Sequence, residues 1–221
     1  MNPSRDREAN EALELLASMG LLAPDEVDAV QRVVRDPELR ACLACAETIH
    51  LHVKVDDTGR VPARELEAAG AFLDHGREGF VKFHLPGRVN AIFSHIAVSA
   101  DDLREGAACR RPRPFLDHIG IDLRDETAES RAIFDAIPRI AAARQWAHVP
   151  QGGLGGAVRC CHGEVAAKHW IFPAAANGVR CIPIEFAYGA LRHNVAASGC
   201  DLRPSHPRTS PAAKPSCCAG Q

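Results

Sequence analysis

The chain has 221 residues, of which 46% are hydrophobic and 24% charged, and its net charge is −2. That is the profile of an ordinary globular protein with enough apolar residues for a core, and the scattered charges form no basic stripe that would meet nucleic acid. The opening "MNPSRDREANE" is too polar for an export signal, and no apolar run approaches the roughly 18 residues needed to span a bilayer. The expectation is a cytoplasmic protein with neither nucleic-acid nor membrane partners. Nine cysteines in a reducing compartment, an odd number, suit metal, metalloid or redox chemistry better than a disulfide framework.

Residues 6 to 46 read as helices. Leu13, Leu15, Leu16 and Met19 make an apolar stripe, and "APDEVDAVQRVV" places Pro24 and acidic residues in a first helical turn. Cys42 and Cys45 close this stretch as C-L-A-C; with no second pair they read as helical cysteines rather than a ligand pair. From residue 49 the period changes. "IHLHVKV" alternates as a strand, "VPARELEAAGAFL" is helical, and "GFVKFHL" and "VNAIFSHIAVS" are extended on either side of a "PGR" turn.

After the charged, proline-bearing linker "DDLREGAACRRPRP" the order recurs. "FLDHIGIDL" is a strand, and "ETAESRAIFDAIPRIAAA" is a helix with Glu126 and Thr127 at its start. "WAHVP" is extended, "QGGLGG" is a loop without the Lys-Ser/Thr of a phosphate loop, and "AVRCC...KHWIFP" and "RCIPIEFAYGAL" are the last extended segments. His50 and His118 open equivalent strands, 68 residues apart, so the economical reading is an internal duplication whose two small units share a core and leave a cleft between them. The division expected is a helical extension over 1–48, an α+β domain over 49–198 with modules at about 49–100 and 115–190, and a disordered cysteine-bearing tail over 199–221.

His50, His118 and Glu185 fall on strands of these units. Two imidazoles and one carboxylate form a facial set that holds Fe(II) and leaves positions open for substrate and oxygen. His52 shares a strand face with His50 and competes with it as first ligand; His50 is preferred because "HLHVKV" lies over "HIGIDL". Most of the remaining histidines, among them His148, are expected to be surface or loop groups, and His162 and His169 are the candidates for a catalytic group if the chemistry is of the extradiol type. Cys160 and Cys161 are neighbours whose Cα atoms stand about 3.8 Å apart, too close for an unstrained disulfide, so their thiols stay available. In a regular strand they point to opposite faces, and both meet one ligand only where a bulge or turn interrupts the strand.

These residues carry a resemblance. A histidine opening the first strand of each of two βαβββ modules, with a glutamate on the final strand, resembles the vicinal oxygen chelate superfamily, which includes glyoxalases, bleomycin resistance proteins and extradiol dioxygenases. Within it, "FVKFHLPGRVNAIFS", "FLDHIGIDL" and "RCCHGEVAAKHWIFP" resemble the carbon–arsenic lyase and cadmium-induced protein branch over roughly residues 49 to 190. The resemblance implies a lyase, Fe(II)-dependent and O2-consuming, that cleaves the C–As bond of trivalent organoarsenicals in arsenic detoxification. His50, His118 and Glu185 would hold the metal, with Ni, Zn or Mn as other candidates. Cys160 and Cys161 would bind arsenic, whose softness suits thiolates, and the charge of Lys168 would lower a thiol pKa.

Two alternatives stand beside it. One is a glyoxalase- or extradiol-dioxygenase-like enzyme acting on another small molecule, and the other a non-enzymatic metalloid- or cadmium-binding resistance protein. Modules paired within one chain or across a homodimer both accord with the sequence. The tail pair Cys217 and Cys218 reads equally as a thiol arm and as a solvated end.

Overall fold

The computed structural model describes residues 3–46, 48–77, 80–84, 95–99, 114–123, 127–152, 158–160, 163–174 and 181–190. Cys161, His162, linker residues 101–113 and the 199–221 tail with Cys217 and Cys218 lie outside them. Three helices come first: α1 (Pro3–Ser18), α2 (Pro24–Arg35) and α3 (Leu39–Ala44). Pro24 sits at the start of α2, where its missing N–H costs nothing, and the Glu26 carboxylate accepts from the Ala23 N–H at 3.0 Å. The other oxygen of Glu26 accepts from the backbone N–H of Leu116 at 2.8 Å, which fastens the helix to a central strand.

The first module follows as β1 (Thr48–Lys54), α4 (Ala63–Ala68), β2 (Phe72–Arg77), β3 (Phe80–His84) and β4 (His95–Ser99). The second runs β5 (Phe115–Leu123), α5 (Ala128–Ala143), β6 (Ala147–Gly152), the short β7 (Val158–Cys160), β8 (Gly163–Phe172) and β9 (Ile184–Ala190). The strands make one nine-stranded sheet in the order β2-β3-β4-β1-β5-β9-β8-β6, with β7 paired to β8. Each half therefore has its first strand at the centre and its second at the edge, and the halves meet through the antiparallel β1–β5 pair. This is the expected α+β architecture of paired βαβββ modules, with β7 as an additional short strand in the second.

One element differs from the sequence pattern. The apolar period of "VPARELEAAGAFL" suggests a helix through Leu73, yet α4 stops at Ala68 and Phe72 begins β2. Gly70 adopts φ +90°, its N–H bonds to Glu67 O and that of Ala71 to Leu66 O, the paired closure that ends a helix at a left-handed glycine. Phe72 and Leu73 then continue extended, and the module gains the strand that the sequence reading lacks.

The faces of the central strands separate by chemistry. Ile49, Leu51 and Val53 of β1, Ile119 and Ile121 of β5, and Ile184 and Phe186 of β9 share one continuous core with Leu13, Leu16, Val30, Leu39 and Ile137 of the helices. Because successive residues of a strand alternate, His50, His52 and Lys54, then His118, Gly120 and Asp122, and then Glu185 and Ala187, line the opposite face. All of them are buried there. Helix α4 has only six residues against sixteen in α5, and α1 to α3 add apolar cover to the same core. Arg144, after α5, binds Asp36 and, at 2.9 Å, Glu38 across the junction of α2 and α3.

Candidate metal and substrate site

The pairing of strands lays out the site in rows. His50 stands opposite Gly120, Gly120 opposite Glu185, and Glu185 opposite Trp170, one line across β1, β5, β9 and β8. His52 stands opposite His118 in the next row. By the internal repeat His50 corresponds to His118 and His52 to Gly120, so the two rows are images of one another except that glycine replaces histidine on one side.

That exchange has a steric cause. A Cβ on Gly120 would lie 1.7 Å from Cε1 of His50, so the imidazole lies directly over the glycine backbone. Gly120 thus leaves His50 room to lean across β5, toward the strand of Glu185. His50 is fully buried and His118 nearly so, at 4% exposure, and their Nε2 atoms face each other at 3.4 Å. The rings cross edge to face at 5.4 Å, and His52 and Trp170 also meet His118 edge to face, at 4.7 and 5.1 Å.

Asp117 completes the setting of His118. Between His52 and Val53 the register shifts, since His52 pairs with His118 but Val53 with Leu116, and Asp117 is the extra residue of a β-bulge. Its Oδ2 accepts from Nδ1 of His118 at 2.8 Å. Among the described residues, one group has metal-ligand donors all within 4.8 Å of one another, and it is His52, Asp117 and His118.

Glu185 is held by a different partner. Lys168 donates from Nζ to its Oε2 at 2.9 Å, and both side chains are 4% exposed. Its second oxygen, Oε1, is buried without a hydrogen-bond partner among the described residues. Lys168 also lies 5.6 Å above the ring of Trp170, whose indole N–H donates to Gln151. The structure therefore brings His50 and His118 together, sets Glu185 in the row of His50 across a glycine, and engages that carboxylate with Lys168.

The residues fit a cation. Two imidazole nitrogens bound at about 2.0–2.1 Å to one tetrahedral ion lie about 3.4 Å apart, the separation found between His50 and His118. A histidine that ligates a metal through one nitrogen ordinarily gives its other N–H to a carboxylate or carbonyl, as His118 does to Asp117. The open oxygen of Glu185 supplies a hard anionic donor on the same face.

Strand β7 ends at Cys160, which pairs with Gly163 at the start of β8. Trp170 lies seven residues further along β8 than Gly163, roughly 23 Å of extended chain. Cys42 and Cys45 lie in and at the end of helix α3. Burial pushes the Cys42 thiol up to about 11, and burial followed by the neighbouring Glu129 raises Cys45 as well, so these are protonated, poorly nucleophilic thiols.

Sequence reasoning did not pair His148 with His169. His148 and His169 are half-buried, not loop groups, and bond Nε2 to Nδ1 at 2.9 Å on the helix side of the sheet. Phe134 of α5 stacks on His169 at 4.3 Å and on Tyr188 at 5.1 Å. Burial, then the neighbouring His148, lowers the pKa of His169 to about 4, and burial also lowers His148. Alternation along β6 and β8 was the available signal, because His148 and His169 fall on the same face as Ile171.

No family model matches the chain, and no curated protein matches it. Solved structures do show likeness. A methylmalonyl-CoA epimerase from Mycobacterium tuberculosis is 15% identical with a TM-score of 0.39, over 66% of this chain and 90% of that one. A second methylmalonyl-CoA epimerase is 17% identical with a TM-score of 0.38, over 64% and 93%. An extradiol ring-cleaving dioxygenase from B. fuscum is 11% identical with a TM-score of 0.35, over 65% of this chain and 34% of that one. Likeness at this level assigns no activity.

Proposed function

We propose that the protein is a mononuclear metalloenzyme of the vicinal oxygen chelate type acting on a small polar molecule, and specifically an Fe(II)- and O2-dependent lyase of trivalent organoarsenicals. The observation that carries the metal reading is the facing of the His50 and His118 Nε2 atoms at 3.4 Å over the gap at Gly120. His50, His118 and Glu185 would hold the ion. Bound Fe(II) would supply the capacity to bind and activate dioxygen.

The chain's own groups do the rest. Asp117 holds the proton on Nδ1 of His118, Lys168 holds Glu185 in place, and the burial of these groups keeps bulk water away. Lys54, Lys168, Asp122, His52 and Glu185, all buried on one face, suit a small polar substrate better than a large aromatic one. The lyase reading is supported by the vicinal pair Cys160 and Cys161, which would hold arsenic through two thiolates and raise the effective concentration of the As-bound carbon at the site. The stoichiometry closes without an external reductant: one methylarsonous acid and one O2 give one formaldehyde and one arsenous acid.

The test is anaerobic loading of the purified full chain with Fe(II), followed by methylarsonous acid in air and in nitrogen. Arsenite and formaldehyde in equal amounts, in air only and lost in Glu185→Ala and Cys160→Ser, are the expected result. Fe(II) binding without arsenite release would discard the lyase, and failure to bind any divalent cation would discard the metalloenzyme altogether. The backbone position of Cys160, opposite Gly163 and so seven residues along β8 from Trp170 in the row of His50, favours as second reading a related metalloenzyme whose substrate is held by the polar face alone.

A further inference from the structure

The structure assigns Asp117 the role of a positioning residue, which sets the tautomer of His118 so that its Nε2 lone pair faces His50, and not the role of a ligand to the ion. This rests on the metalloenzyme reading. In a regular strand Asp117 and His118 would point to opposite faces. The bulge opposite His52 and Val53 removes Asp117 from the ladder, and its carboxylate reaches the imidazole of its own chain neighbour at 2.8 Å.

A neutral imidazole has one N–H. Donated from Nδ1 to a carboxylate, it leaves Nε2 as an acceptor, the condition for ligating a cation. His52, His50 and Trp170 pack edge to face around His118 and so orient its plane, but edge contacts of this kind do not choose which nitrogen carries the proton. Asp117 does. The same carboxylate also lies within 4.8 Å of a donor atom on His52, which makes a ligand role the rival reading, and the two readings give opposite results for the neighbouring histidines.

The experiment uses the full chain with Asp117→Ala, Asp117→Asn, His50→Ala and His52→Ala. Nitrogen-15 spectra of the metal-free protein report which ring nitrogen of His118 is protonated, and titration with Zn(II) or Co(II) reports affinity. The expected pattern is Nδ1–H in wild type and in Asp117→Asn, whose amide oxygen still accepts, and Nε2–H in Asp117→Ala. Cation affinity should fall about 10- to 100-fold in Asp117→Ala and less than about 10-fold in Asp117→Asn. It should be lost in His50→Ala and stay near wild type in His52→Ala.

Retention of Nδ1–H in a folded Asp117→Ala protein would overturn the assignment. So would loss of affinity in His52→Ala together with equal losses in both Asp117 variants, which would make Asp117 a ligand. Should wild type bind neither cation, the metal reading fails while the tautomer spectra still decide what Asp117 does.

Discussion

Among the described residues, each face of the sheet carries two imidazoles whose ring nitrogens face each other, His148 with His169 and His50 with His118, and the two pairs differ in what surrounds them. His148 and His169 meet at 2.9 Å, an ordinary hydrogen-bond length, between two rings that burial keeps neutral. One donates, the other accepts, and Phe134 covers the result. His50 and His118 stand at 3.4 Å, long for a hydrogen bond, with the second nitrogen of His118 already committed to a carboxylate and with an ion-paired glutamate in the row beyond. The two pairs differ in their other partners: on the helix side the rings bond to each other under Phe134, and on the polar face the second nitrogen of His118 is held by a carboxylate.

The contrast can be broken most severely at Lys168. Lys168→Met leaves the Glu185 carboxylate buried without its cation, and the expected loss is about 3–5 kcal/mol of unfolding free energy by urea titration, with substantial recovery in the double variant Lys168→Met/Glu185→Leu. Recovery that fails would mean the pair stabilises the fold through more than mutual neutralisation. Gly120→Ala acts more locally. Its methyl would occupy the space of the His50 ring, so about 1–3 kcal/mol of destabilisation is expected, together with loss of cation binding in a protein that keeps its far-ultraviolet circular dichroism.

The helix-side pair gives the smallest effect, a dependence of stability on pH. The pKa of His169 is about 4 in the folded chain against an ordinary 6.5, so between these values the unfolded chain takes up a proton that the folded one refuses. Stability is then complete above about pH 6.5 and declines as pH falls toward 4, by about 1–2 kcal/mol once solvent screening at a half-buried ring is allowed for. His169→Phe should flatten that part of the profile, measured as melting temperature against pH, and leave cation binding unchanged.

Much of the polar face was legible because it follows from repetition and alternation. His50 and His118 sit at the same place in two copies of one pattern, and the antiparallel β1–β5 pair turns that equivalence into proximity. Asp117 was not read from the sequence: the bulge shows there only as a one-residue slip of the apolar phase, from Leu116 to Ile119, which a single short strand does not distinguish from ordinary irregularity. Nor was the Lys168–Glu185 pair, which depends on β8 and β9 being neighbours in one register. Phe72 and Leu73 were misplaced because they continue the helical period of α4, and a left-handed Gly70 overrides that period. His148 and His169 were not joined because alternation gives the face of each but not the β6–β8 register that brings them together.

Glu26 links the first helices to this chemistry. One of its oxygens closes the start of α2 and the other takes the backbone N–H of Leu116, the residue immediately before the bulge. A version of the protein trimmed to begin at β1 would leave that amide without its carboxylate acceptor, two positions from His118. The leading helices are therefore an anchor for the strand that carries the histidine, and shortening the chain there would slacken the site at a distance.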